Sequence, residues 1–247
     1  MVPKSKVEIE YMTKGGKILA SILLKLKRFT VIGVSTRSID KIALSLCKEN
    51  LVKPAFLGYD SFPASSCISI NNTIVHGIPS DYVIKDGDLV SIDFGIIYKG
   101  LYLDGATSFQ VGKSDPNVES FLHAGKISRD EGIKASVAGA YVSDIAASME
   151  SPVLKGGYSV VRELTGHGIG YRLHEKPFIP GYSISEKGMQ ITDGMTLAIE
   201  SMISMGSPEI AEKDNGWDLY TKDGSLTCHF EHTILVSGNT PRILTQL

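Results

Sequence analysis

The chain has 247 residues, 43% of them hydrophobic and 21% charged, with a formal net charge of -2 and a pI near 6.3. Such a composition supports a substantial buried core and gives no basic footprint for nucleic acid or an anionic membrane surface. Three scattered cysteines, Cys47, Cys67 and Cys228, are never spaced Cys-x-x-Cys, which argues against a disulfide framework or a cysteine zinc site and for a reducing cytosol.

Residues 8–28 carry Ile9, Met12, Ile18, Leu19, Ile22, Leu23 and Leu26 at helical spacing. Lys25, Lys27 and Arg28 make the apolar stretch 18–33 too charged to span a bilayer, and no small-residue cleavage site closes it. A second helix begins near Thr36, with Ile39, Ile42, Ala43, Leu46 and Cys47 on one stripe. Strands are expected over 66–70, 73–75, 89–97 and 101–111, separated by turn signals at Asn71-Asn72, Asp86-Gly87 and Lys99-Gly100.

The order then restarts. Helices are expected over 117–136 and 143–154, the second capped by Ser143, followed by strands over 157–163, 196–205 and 226–236. Two rounds of helices followed by antiparallel strands predict an α+β fold, not a doubly wound parallel one. No linker rich in Pro, Gly or Ser divides the chain, so residues 1–247 are expected to form one compact unit with halves of roughly 8–112 and 117–240.

The restart is visible in the letters. Asp86-Gly87-Asp88-Leu89-Val90-Ser91-Ile92-Asp93 returns 107 residues later as Asp193-Gly194-Met195-Thr196-Leu197-Ala198-Ile199-Glu200. Each copy has an Asp-Gly turn, an apolar strand and a carboxylate after Ile. A carboxylate inside a buried strand is costly unless it is paired, hydrogen-bonded or bound to metal, so the repetition suggests two halves meeting at one charged site.

Asp104 extends that site. With a tight turn at Lys99-Gly100, opposed positions sum to 199, so Asp93 faces Ala106 and Asp104 faces Gly95. The two carboxylates are then diagonal neighbours on one sheet face, roughly 7–8 Å apart at Cα, whereas a one-residue slip would send them to opposite faces. Further candidates are His167, held between Gly166 and Gly168, and Glu200 and Glu231, each interrupting an apolar run. His232 alternates to the other face of its strand and reads as structural. Four converging carboxylates would repel one another and take up protons, whereas two divalent cations balance their charge. An oxygen-rich set with one imidazole suits Mn, Fe, Co or Zn, and a pair of such ions with hydroxide between them makes a nucleophile near neutral pH.

The same residues carry a resemblance. Ser69-Ile70-Asn71-Asn72-Thr73-Ile74-Val75-His76-Gly77-Ile78-Pro79, Gly87-Asp88-Leu89-Val90-Ser91-Ile92-Asp93, Leu103-Asp104-Gly105-Ala106-Thr107, the stretch Thr165-Gly166-His167-Gly168 through His174-Glu175-Lys176-Pro177, Ala198-Ile199-Glu200 and Phe230-Glu231-His232-Thr233-Ile234 resemble, in order, motifs of the methionine aminopeptidases of the pita-bread metallopeptidase family. The likeness runs from about residue 8 to 240, and the short interval from His174 to Glu200 resembles the type I enzymes.

The resemblance implies pseudo-twofold α/β halves, a central antiparallel sheet and helices on its outer face. It implies two divalent ions held by Asp93, Asp104, His167, Glu200 and Glu231. His76 would contact the backbone beside the scissile bond, His174 the oxygen of the tetrahedral intermediate, and Glu200 would shuttle the proton of the attacking water. Tyr59, Phe62, Cys67 and Trp217 would wall the methionine pocket. The implied partners are nascent polypeptide N-termini, with the ribosome a further candidate; the implied protein is cytoplasmic and monomeric, with no membrane or specific nucleic-acid partner. Departures from the family pattern are Ser201 for a usual proline, expected to loosen its strand, Phe56 beside Tyr59, Leu164 and Gly181. Two rival readings rank lower: an X-Pro aminopeptidase of the same fold, which usually carries a long extra N-terminal domain, and a binding relative that has lost catalysis.

Overall fold

The computed structural model describes residues 3–247. Helix α1 (Lys6–Phe29) opens on a reciprocal cap: the Ser5 hydroxyl accepts from the Glu8 N–H at 3.3 Å, and the Glu8 carboxylate accepts from the Ser5 N–H at 2.8 Å. It buries Met12, Leu19, Ile22, Leu23 and Leu26, and α2 (Thr36–Glu49) packs beside it through Ile39, Ala43 and Leu46. Seven strands follow: β1 (Lys53–Pro54), β2 (Cys67–Ile70), β3 (Thr73–Val75), β4 (Leu89–Asp93), β5 (Ile96–Tyr98), β6 (Leu101–Leu103) and β7 (Ala106–Gln110). The second round has α3 (Pro116–Ala135), α4 (Val142–Lys155), β8 (Ser159–Val160), β9 (Thr165–Gly168), β10 (Glu175–Pro180), β11 (Thr196–Ser204), β12 (Ile210–Glu212), β13 (Leu219–Thr221), β14 (Thr227–Leu235) and β15 (Arg242–Ile243).

This is the expected α+β architecture. In the first half β4 lies between β2 and β7; in the second, β11 and β14 form the centre of the path β10-β9-β11-β14-β15. All pairings are antiparallel, and β11 and β14 match over nine residues, with Glu200 directly opposite Glu231. The period of two sorts their faces. Leu197, Ile199, Ile203, Cys228, Phe230 and Ile234 pack under α3 and α4, leaving Ala198, Glu200, His229 and Glu231 on the opposite side.

Hydroxyl groups seam the halves together. The Ser108 hydroxyl donates to the His229 carbonyl at 2.9 Å while the His229 N–H donates back to it at 2.8 Å. Thr233 does the same with Asp104, its hydroxyl donating to the carbonyl at 2.8 Å and accepting from the N–H at 2.9 Å. Each hydroxyl bridges one residue of the other half where a regular ladder would otherwise be needed.

The structure alters several boundaries. The predicted register holds, with Asp93 opposite Ala106 and Ile96 opposite Leu103, but the hairpin is not one ribbon. Residues 94–95 and 104–105 leave the regular ladder; the Gly95 carbonyl accepts from the Ala55 N–H at 2.9 Å, which carries β5 and β6 onto β1. The cap of α4 is Tyr141 and not Ser143: the Tyr141 N–H donates to the Asp144 carboxylate at 2.8 Å, and the Ser143 N–H is held by the Lys187 carbonyl at 3.1 Å. The expected strand over 157–163 shrinks to β8. Ser201 does not loosen its strand, because the pairing with β14 runs unbroken through it; serine keeps the backbone N–H that proline would remove. Among the described residues, no helix is long and apolar enough to cross a membrane.

Candidate active site

Asp93 ends β4 opposite both Cys67 of β2 and Ala106 of β7. Asp104 follows β6 in the break of the ladder, where its carboxylate accepts from the Gly105 N–H at 2.9 Å. His167 lies on β9 opposite Ala198. A side chain on neighbouring Gly166 would stand 2.6 Å from the Ala198 carbonyl and 3.3 Å from Glu200 Cγ, so glycine is what lets this strand close on β11. The His167 Nδ1 is 2.9 Å from the Gly168 carbonyl, which fixes the ring and aims Nε2 at Glu200 Oε1, 3.3 Å away.

These side chains converge. Asp104, His167, Glu200 and Glu231 are buried, and Asp93 is half-buried with its Oδ1 enclosed. Asp104, His167 and Glu231 bring donor atoms within 4.8 Å of one another, as do Glu200, His229 and Glu231. Burial, and then the charge of Glu200, pushes the Asp104 carboxyl up to about 7; burial raises Glu200 to about 7 as well. Asp93 and Glu231 are driven well above the ordinary carboxylate range, first by burial and then by the surrounding carboxylates. Asp93 Oδ1 and Glu231 Oε1 have no hydrogen-bond partner. Crowded carboxylates with orphaned oxygens beside a neutral imidazole are the donor chemistry of divalent cations, and a bound cation would satisfy those oxygens and reverse the upward shifts.

The acidic cluster floors a cavity of about 350 Å³. Tyr59, Phe62, Cys67 and Trp217 line it, with Phe62 edge-on to Trp217 at 5.0 Å between ring centroids. His76, in the left-handed backbone region at φ 59°, stands edge-on to Trp217 at 6.1 Å. His174 is edge-on to His167 at 4.5 Å, and its Nδ1 lies 3.0 Å from the Tyr59 hydroxyl. Burial lowers the pKa of His76, His167 and His174, so all three are neutral near pH 7.

Phe56 and Leu164 also line the cavity, so these two departures reshape its wall, whereas Gly181 is not among the lining residues. His232 points to the helix side, its Nδ1 2.9 Å from the Thr245 hydroxyl. Sequence reasoning missed two contributors. Asp218 anchors the Trp217 loop, accepting from the Ile78 N–H at 2.9 Å and from Lys213 Nζ at 3.0 Å. His229 faces the carboxylates; the signal was its place two residues before Glu231, hence on the same strand face.

The profile of Metallopeptidase family M24 matches residues 10–238. The chain is 39% identical to a methionine aminopeptidase of Clostridium perfringens over 245 residues, 99% of this chain and 98% of that one. The crystal structure of methionine aminopeptidase from Thermotoga maritima superposes with a TM-score of 0.97 at 38% identity, covering 100% of both chains. A prolidase from Pyrococcus horikoshii shares the fold, with a TM-score of 0.78 at 21% identity over 99% of this chain and 63% of that one.

Proposed function

The chain belongs to metallopeptidase family M24, and on that premise we propose that it is a metal-dependent methionine aminopeptidase, removing the initiator methionine of nascent proteins when the second residue is small. One observation carries the reading: carboxylates from both halves face a single cavity whose upper wall is apolar and aromatic. The two halves act as one catalytic domain in the cytoplasm, as a monomer, on N-termini presented at the ribosome.

Asp93, Asp104, His167, Glu200 and Glu231 would hold two divalent cations, Mn, Fe, Co or Zn, which when bound supply a hydroxide nucleophile near neutral pH and polarise the scissile carbonyl. Phe62, Cys67, Trp217 and Tyr59 enclose the methionine side chain. His76 binds the substrate backbone beside the scissile bond. The Tyr59 hydroxyl lies 3.0 Å from His174 Nδ1; in this reading it donates to that nitrogen, which leaves the ring proton on Nε2. His174 is thereby a neutral donor, able to stabilise the oxygen of the tetrahedral intermediate without a prior proton transfer. Glu200 takes the proton of the attacking water and returns it to the leaving amine.

An X-Pro specificity is disfavoured, since the prolidase likeness is one of fold at 21% identity. A degenerate binding module is disfavoured because all the acidic and histidine positions are filled. Purified protein supplied with Mn or Co should cleave a Met-Ala peptide and leave Ala-Pro intact; cleavage of neither, beside an active control enzyme, rejects the reading.

A further inference from the structure

We propose that His229 is a metal ligand, so that the centre carries two imidazoles and not one; this rests on the metal-dependent reading above and concerns the composition of its donor set. His229 is 2% exposed, and neither ring nitrogen has a hydrogen-bond partner. An imidazole buried with both nitrogens unpartnered is destabilising unless something else meets its lone pair. Its Nε2 lies 3.3 Å from Glu200 Oε2 and 3.7 Å from Glu231 Oε2.

The separation from Glu200 is what ligation produces. Two donors each about 2.0–2.1 Å from one zinc ion at the tetrahedral angle are about 3.3–3.4 Å apart. His167 Nε2 and Glu200 Oε1 show the same 3.3 Å spacing, so Glu200 presents one oxygen to each imidazole. Glu231 belongs to both groups of converging donors, one completed by Asp104 and His167, the other by Glu200 and His229. Glu200 and Glu231 thus both lie between the two imidazoles, and His229 adds a nitrogen donor to the carboxylates that face His167.

The backbone holds the ring for this task. Both main-chain groups of His229 are tied to the Ser108 hydroxyl, itself 2.6 Å from the Ser91 hydroxyl, so β14 is fixed to the first half at this residue. The flanking Cys228 and Phe230 are buried under the helices, which prevents the strand from rolling the ring away. A second nitrogen donor makes the site softer than one with His167 as its single imidazole and tilts its preference from Mn toward Co and Zn.

The test is X-ray absorption and competitive metal titration on the full chain. Protein loaded with two equivalents of zinc should show imidazole scattering from two histidines per molecule, and His229→Gln should show one. The variant should bind one of the two ions about tenfold or more weakly, with a changed visible spectrum when loaded with cobalt. A single imidazole in the wild-type spectrum, with His229→Gln binding unchanged, overturns the proposal and leaves the peptidase reading standing. A wild-type chain that binds no cation overturns both. The imidazole count of the wild type decides the matter even if the variant does not fold.

Discussion

In the first half the Gly33 N–H donates to the Ile84 carbonyl at 3.0 Å and the Gly87 N–H to Val111 at 2.8 Å; in the second, Gly139 donates to Ile191 at 2.8 Å and Gly194 to Val236 at 3.0 Å. Isolated bridges repeat too, Ser35 with Val83 and Tyr141 with Gln190. Gly33, Gly87, Gly139 and Gly194 all adopt positive φ, between 81° and 95°, where a Cβ is disfavoured. The backbone frame is thus given twice, but what hangs on it differs. The first half breaks its ladder at the metal-facing residues and offers two short carboxylates, Asp93 and Asp104. The second keeps an unbroken ladder and offers Glu200 and Glu231 directly opposed. A shorter side chain goes with a backbone that bends, a longer one with a backbone that runs straight.

If the halves contribute equally to one centre, removing a carboxylate from either should be equally damaging. Asp104→Asn and Glu231→Gln should each lower kcat/KM on Met-Ala about a thousandfold or more, about 4 kcal/mol of transition-state stabilisation. Calorimetry should show both variants losing cation affinity. An Asp104→Asn enzyme of nearly normal rate would break the comparison, since the first half would then supply Asp93 alone.

The larger features of this arrangement were legible in the letters. The Asp-Gly repeat exposed the twofold frame, because positive-φ glycines and carboxylates after Ile are local signals. The two-residue turn at Lys99-Gly100 set the register of β4 on β7 and of β5 on β6 correctly, with Asp93 opposite Ala106. Strands β9, β10, β12 and β13 left no such trace: β9 and β10 are rich in Gly or Pro, β12 and β13 have three residues each, and β9 and β13 form by pairing with the distant β11 and β3. The break after Asp93 was hidden for the same reason, being caused by β1, about forty residues upstream in a loop-like stretch. His229 carries no local motif of its own, and only the alternation of β14 places it on the same face as Glu231.

The next contrast lies inside the repeated turn. Asp88 accepts from Asn71 Nδ2 at 2.9 Å, the Tyr82 hydroxyl at 2.9 Å and the Lys85 N–H at 2.8 Å. Its counterpart Met195 offers only sulfur to the Thr192 N–H, at 3.4 Å. Asp88→Ala removes the buried acceptor of three part-buried donors and should destabilise by about 2 kcal/mol, whereas Met195→Leu, which conserves volume, should change stability by about 1 kcal/mol or less. Urea unfolding of the two variants checks this, and equal losses would mean that the polar cluster contributes no more than packing.

Protons compare the halves again. Asp104 and Glu200, one from each half, are both raised to about 7 without metal. Each goes from mostly ionised at pH 8 to mostly protonated at pH 6, so cation affinity should fall about tenfold per group over that range. Asp104→Asn and Glu200→Gln should each remove a similar part of that slope. Raised carboxyls bind protons more tightly folded than unfolded, so they stabilise the metal-free protein as pH falls through 7. Its urea midpoint should therefore rise from pH 8 to pH 6.5. Below that, His229 and His232, lowered to about 4 and about 3 by burial, oppose folding.

The smallest expected effect concerns the residue after each metal-facing carboxylate. In the first half this is Phe94, which leaves the ladder and is fully buried in the core beneath α1. In the second it is Ser201, 1% exposed and still in the ladder opposite Phe230, with a hydroxyl that has no partner. A buried hydroxyl without a partner is unfavourable by about 1 kcal/mol or more, but removing it also deletes an oxygen's worth of packing. Ser201→Ala should therefore be neutral to stabilising, by up to about 1 kcal/mol, and should leave the rate on Met-Ala unchanged because Ser201 faces away from Glu200. A clear loss of stability in that variant would mean that the hydroxyl is bonded in solution, through a water or a backbone shift. The second half would then be held at this point by a polar contact, where the first uses an aromatic ring.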